Sequence, residues 1–161
     1  MVQGREFPLV LDVADIPQHD LHLRRLAAGN PNTPEKVLSK LSQDHVNNVG
    51  HRVAENPRTP KEVLIKLASD QHSDVRLAVA ENPSTPAEIL AQLAQDADPD
   101  VRFGVAENPH MPEHILFKLS EDENPYIRCR ALKTLQAMDP DVQARLKHMI
   151  QTALNTQNRR C

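Results

Sequence analysis

The run Ala80-Glu81-Asn82-Pro83-Ser84-Thr85-Pro86, continued through Ile89, Leu90 and Leu93 to Asp96, decides the fold, because the chain repeats its pattern four times. Asn-Pro stands at Asn30-Pro31, Asn56-Pro57, Asn82-Pro83 and Asn108-Pro109, each 26 residues after the last, with no insertion or deletion between them. Further columns hold one residue type throughout. They are a proline (Pro34, Pro60, Pro86, Pro112), two leucines (Leu38, Leu64, Leu90, Leu116 and Leu41, Leu67, Leu93, Leu119) and an aspartate (Asp44, Asp70, Asp96, Asp122). A fixed period in this range marks stacked supersecondary units, none of which buries its apolar face alone.

Each unit carries two helix starts. Thr33-Pro34, Thr59-Pro60 and Thr85-Pro86 are expected to place a capping hydroxyl before a proline at the first helical position. Glu62 and Glu88 would then complete a capping box. Met111 replaces the threonine in the fourth unit, so its first helix should start less firmly. Behind these starts Val37, Leu38 and Leu41 form an apolar stripe at helical spacing, repeated in every unit. The second start is Asp98-Pro99 or Asn124-Pro125, followed by Val101, Val105 and Ala106. The next Asn-Pro ends that helix, since proline disfavours helical geometry in the residue before it. The expectation is a first helix of roughly ten residues and a second of roughly eight, both too short to be stable without stacking.

The ends differ from the units. Leu23, Arg24 and Ala28 align with Val75, Arg76 and Ala80, so residues 1–29 hold an N-terminal half-repeat. Units 30–55, 56–81, 82–107 and 108–133 follow. Residues 134–161 are expected to form a capping helix, with Val142, Leu146, Met149, Ile150 and Ala153 on one face, and a tail. The fold class expected is all-α, a solenoid of short helix pairs making one structural domain.

Composition agrees. With three Phe, one Tyr and no Trp, the core must be aliphatic, and 13 Pro against four Gly suits short helices with rigid boundaries. The net charge of −3 gives no general argument for nucleic acid, but it is unevenly spread. Residues 1–127 hold 12 Lys/Arg against 20 Asp/Glu, whereas residues 128–161 hold 7 against 2. Cys129 and Cys161 have no metal-like spacing, and the first 15 residues lack a signal-peptide pattern, so a cytoplasmic protein is expected.

The unit Ala-Glu-Asn-Pro-x-Thr-Pro, with its Ile/Val-Leu, Leu and Asp positions, resembles the leucine-rich repeat variant family over residues 23–133. That resemblance implies an all-helical, right-handed superhelix of paired α and 3₁₀ helices acting as a binding scaffold, and the helix pairs of this chain are expected as either α/3₁₀ or α/α. The second half of the unit is also similar to a HEAT repeat, through Asp70 and Arg76, Asp96 and Arg102, Asp122 and Arg128. Gly50 stands where unit one should have Arg, so one rung of that ladder should be missing. Some family members carry an N-terminal iron–sulfur cysteine cluster. No cysteine precedes residue 129 here, so no cofactor is expected.

Two kinds of surface are candidates. The Asp/Arg columns are either a charged binding ridge or, the preferred account, a structural ladder orienting the stack through Arg–carboxylate and Arg–carbonyl bonds. Recognition suits the variable columns of the second helix better. Positions 74, 77, 78 and 81 should point away from the core. They generate the columns Arg25, His51, Leu77, Phe103, Cys129, then Leu26, Arg52, Ala78, Gly104, Arg130, then Gly29, Glu55, Glu81, Glu107, Lys133. Leu77 and Phe103 flanked by Glu81 and Glu107 make either a protein-binding patch or side chains tucked between units. His51 and Arg130 complete the candidate ridge.

Catalytic and metal chemistry find little support. His19 and His22 could sit on one helical face as ligands but lack a third, and the sequence has no Gly-rich phosphate loop, GxSxG elbow or His-Glu pair. A non-enzymatic adaptor for a protein partner is expected, as a monomer or weak self-associate without a membrane. The alternative is a nucleic-acid-binding repeat protein using the basic end, Arg145, Lys147, Arg159 and Arg160.

Overall fold

The proline columns divide the chain into helices. The structure, a computed structural model, describes residues 19–138. Among them lie nine α-helices and no strand: α1 (Leu21–Gly29), α2 (Glu35–Leu41), α3 (Asn47–Glu55), α4 (Lys61–Leu67), α5 (Ser73–Glu81), α6 (Ala87–Leu93), α7 (Pro99–Glu107), α8 (Glu113–Leu119) and α9 (Pro125–Ala137). The fold is an all-α helical repeat. Both helices of each pair are α, so the 3₁₀ partner implied by the family resemblance is absent among the described residues. The expected lengths are reversed: the first helix of each unit has seven residues and the second nine, lengthening to 13 in α9.

The shorter first helix has a specific cause. Pro34, Pro60, Pro86 and Pro112 are extended and sit at the N-cap, one position outside the helix. The threonine before the first three is therefore not the cap. Its hydroxyl points back and donates to a carbonyl near the end of the preceding helix, Thr33 to Ala27 (2.6 Å), Thr59 to Val53 (2.5 Å) and Thr85 to Val79 (2.6 Å). A capping box cannot form either, since it needs an N-cap N–H that proline lacks. Met111 is buried in the threonine's place, and α8 spans the same seven residues as its counterparts. Its helix is no shorter because no cap was lost.

The second helices begin as the sequence implies where a proline is present. Asp98 and Asn124 accept from the N–H of Asp100 and Tyr126, with proline at the helix start. They end at Asn30, Asn56, Asn82 and Asn108, each extended ahead of its proline. Position 135 of that proline column is leucine, so α9 runs on to Ala137.

The described residues belong to two compact units, Met1–Thr85 and Pro86–Cys161. In the first, α1, α3 and α5 pack one on the next, with α2 and α4 alongside. In the second, α7 packs on α9, and α8 touches both. Leu38, Leu41, Leu64, Leu67, Leu90, Leu93, Leu116 and Leu119 are all buried, with Val49, Val53, Val75, Val79, Val101 and Val105 beside them. Full burial of such a side chain stabilises by about 1.5–3 kcal/mol, which makes these columns the main support of helices too short to persist alone. Leu23 occupies the place of buried Val75 yet is 44 % exposed. The expected capping helix and the basic residues from Arg145 onward lie outside the described residues.

Candidate binding surface

The Asp and Arg columns join successive repeats with an offset of 20 residues. Arg24 Nε donates to Asp44 Oδ2 at 2.6 Å. Arg102 grips Asp122 with Nε–Oδ2 and Nη2–Oδ1 distances of 2.8 and 3.2 Å. Toward the aspartate of its own unit each arginine uses the backbone instead: Arg76 donates to the Asp70 carbonyl, Arg102 to that of Asp96 and Arg128 to that of Asp122, at 2.8, 2.8 and 2.7 Å. Each carboxylate also closes its own turn, accepting the N–H two residues on, as Asp122 does from Asn124. The hydrogen bond to Arg102 is the chief reason Asp122 sits below the usual carboxylate range and Arg102 above its own. Chemistry so fully committed to neighbouring groups has little left for a ligand.

At Gly50 the rung is missing. Twenty residues on, Asp70 is 29 % exposed, against 7 % for Asp44, and His72 Nδ1 lies 2.9 Å from its Oδ1. A Cβ added at Gly50 would meet Val75 and Leu67 at 3.9 and 4.0 Å, which is ordinary contact. Gly50→Arg should therefore restore the rung and stabilise the protein by about 1–2 kcal/mol, of which about 1 comes from removing a mid-helix glycine. Urea denaturation checks this against Gly50→Ala. If arginine gains no more than alanine, or keeps its advantage in an Asp70→Asn background, the 20-residue pairing is not its source.

A second ladder was not foreseen from the sequence. Asn56 is buried, and its Nδ2 donates to the carbonyls of Ala28 (2.7 Å) and Asn30 (2.9 Å) in the preceding repeat. Asn82 does the same to Ala54 and Asn56, at 2.5 and 3.0 Å. Their Oδ1 atoms accept from Arg58 and Ser84 in their own turns. Position 134 of this column is threonine, and its hydroxyl still reaches the Ala106 carbonyl at 2.6 Å. The signal available in the sequence was the invariance of an asparagine where a helix merely stops.

The variable columns are less uniform than expected. His51 and Leu77 are half-buried on α3 and α5, while Glu81 is exposed. In the second unit Phe103 and Glu107 are half-buried on α7, and Arg130 Nη2 of α9 donates to Glu107 Oε1 at 2.8 Å. Cys129 is an exposed free thiol. Positions 78 and 104 do not face outward: Ala78 and Gly104 are buried. Leu77 and Phe103 are thus neither core nor fully displayed.

Beside α1 the surface is concave. His22, Arg25, Leu26, Gly29, Asn30 and Arg52 line a hollow of about 340 Å³. Leu26 is 57 % exposed, and Arg52 donates to Glu55 Oε2 at 3.0 Å. Among the described residues, no group of three His, Cys, Asp or Glu is placed to hold a metal, and no helix is long and apolar enough to cross a membrane.

Comparison with a family model supports the family resemblance over residues 50–107. Residues 50–107 match the Leucine Rich Repeat Variant domain model. No curated protein matches the chain. A solved structure described as "a leucine-rich repeat variant with a novel repetitive protein structural motif" shares 25 % identity, covering 82 % of this chain and 71 % of that one with a TM-score of 0.35.

Proposed function

We propose that the chain is a non-catalytic scaffold that binds a protein partner through the variable positions of its second helices. One contrast carries this. The Asn and Asp columns, uniform through the four units, and the Thr and Arg columns, each interrupted once (at Met111 and Gly50), spend their hydrogen bonds on the backbone or carboxylates of the repeats themselves. The positions that change from repeat to repeat, among them His51, Leu77, Phe103 and Arg130, remain partly open to solvent. Geometry that must recur is assigned to constant residues, and partner chemistry is left to the others.

Half-burial at Leu77 and Phe103 suits residues that lose further area on docking. Leu77→Asp and Phe103→Asp, made singly and together, should keep helicity and the urea midpoint close to those of the parent while abolishing affinity capture of the partner. Mass spectrometry of the captured material, with the double variant as control, is the measurement. Identical recovery by parent and variant would reject this surface, and a collapse of stability would show that the two side chains belong to the core.

A further inference from the structure

We infer that the hollow between α1 and α3 is a carboxylate socket that takes a Glu side chain of an acidic, apolar-flanked peptide. This deepens the scaffold proposal and rests on it for the nature of the partner. The second unit shows what the socket lacks. There Arg130 of α9 donates to Glu107, the residue 23 positions earlier at the end of the preceding second helix, at 2.8 Å. Arg52 occupies the Arg130 column and Gly29 the Glu107 column, three repeats earlier. The arginine is kept and its carboxylate is deleted.

The deletion leaves space and charge together. A Cβ built on Gly29 would lie 3.7 Å from Arg52 Cδ, so the arginine stem passes directly over the missing side chain. Arg52 turns to Glu55 on its own helix, an exposed contact worth little in water. Across the hollow stand His22 and Arg25, which have no ion pair among the described residues. Two guanidinium groups and an imidazole thus surround a gap where the repeat pattern puts a carboxylate, while Leu26 supplies an apolar wall on the same rim. A Glu side chain entering there meets fork donors suited to carboxylate, and an adjoining leucine of the peptide covers Leu26.

The test is titration of the full ¹⁵N-labelled chain with N-acetyl-Glu-Leu-amide and with its Gln counterpart. The Glu probe should shift the amides of Gly29 and Arg52 and bind about tenfold more tightly than the Gln probe, as one charge-assisted contact implies. Gly29→Glu refills the gap and should abolish binding, whereas Gly29→Ala keeps it. Arg52→Gln, which leaves the α1 backbone untouched, should lower affinity by about tenfold. Equal affinity for the two probes, shifts confined to other residues, or binding that survives Gly29→Glu would overturn the socket. Leu77→Asp with Phe103→Asp should leave this titration unchanged. Failure of partner capture therefore rejects the scaffold surface without touching the socket, and the reverse holds as well.

Discussion

Replacing Asn56 by Asp should destabilise the protein by about 3–5 kcal/mol at neutral pH, a large share of the stability of a domain of this size. The side chain is buried, and its Nδ2 sits 2.7 and 2.9 Å from two carbonyl oxygens of the preceding repeat. A carboxylate there loses both donated bonds and faces oxygen with oxygen, without water to screen it. Asn56→Ala removes the donors without adding charge and should cost about 1–3 kcal/mol, the penalty of leaving the buried Ala28 carbonyl unsatisfied, while the Asn30 carbonyl keeps the Thr33 N–H. Asn56→Thr copies position 134, where a hydroxyl reaches the Ala106 carbonyl, and should cost about 1 kcal/mol by losing one bond of two. The aspartate variant carries its own pH signature. Burial against carbonyls raises its folded-state pKa above the unfolded value, so its deficit is greatest at high pH and shrinks as pH falls through that raised value. Urea denaturation followed by circular dichroism at several pH values measures the series. A cost for Asn56→Asp within the half kilocalorie typical of surface changes would show that the Asn column does not tie the repeats together.

That column marks the boundary of what the sequence disclosed. Proline and the leucine stripe act within a few residues, so the period, helix ends and buried faces were legible: Leu64 and Leu90 are core, and Asn30 to Asn108 end their helices. Contacts across 20 to 28 residues leave no such local trace. Thr59 before Pro60 looks like a cap by every near-neighbour rule, yet its hydroxyl turns six residues back to Val53. An Arg ladder between neighbouring units was expected from its column, but not the division of labour within it: Arg102 gives the Asp96 carbonyl one bond and keeps its fork for Asp122, 20 residues on. The candidate ridge was legible only as a phase. Helical spacing placed residues 77 and 103 near the surface, but could not show that Ala78 and Gly104 beside them are buried. The hollow beside α1 escaped because it consists of a residue that is missing from its column. Gly29 was visible there, but its meaning depended on seeing Glu107 bound to Arg130.

Arg102→Met should cost about 2–4 kcal/mol at neutral pH, and the loss should fade in acid. The guanidinium is 10 % exposed and the Asp122 carboxylate 8 %, so neither charge is well hydrated once its partner is gone. Methionine keeps much of the stem's packing while deleting the two bonds to Asp122 and the bond to the Asp96 carbonyl. In the parent, Arg102 holds Asp122 below the ordinary value of 3.8. A depressed carboxyl pKa contributes stability that is full above the unfolded-state value and is lost as pH falls through the folded-state one. The parent should therefore lose this contribution below about pH 4, whereas the variant, whose stranded Asp122 gains from protonation, should lose less. Chemical denaturation at pH 7, 5 and 3 should show the two stabilities converging downward. Asp122→Asn should remove most of the difference in slope. A deficit for Arg102→Met that stays constant across that range would assign the arginine's role to its carbonyl bond and packing, and would leave the 20-residue rung without energetic weight.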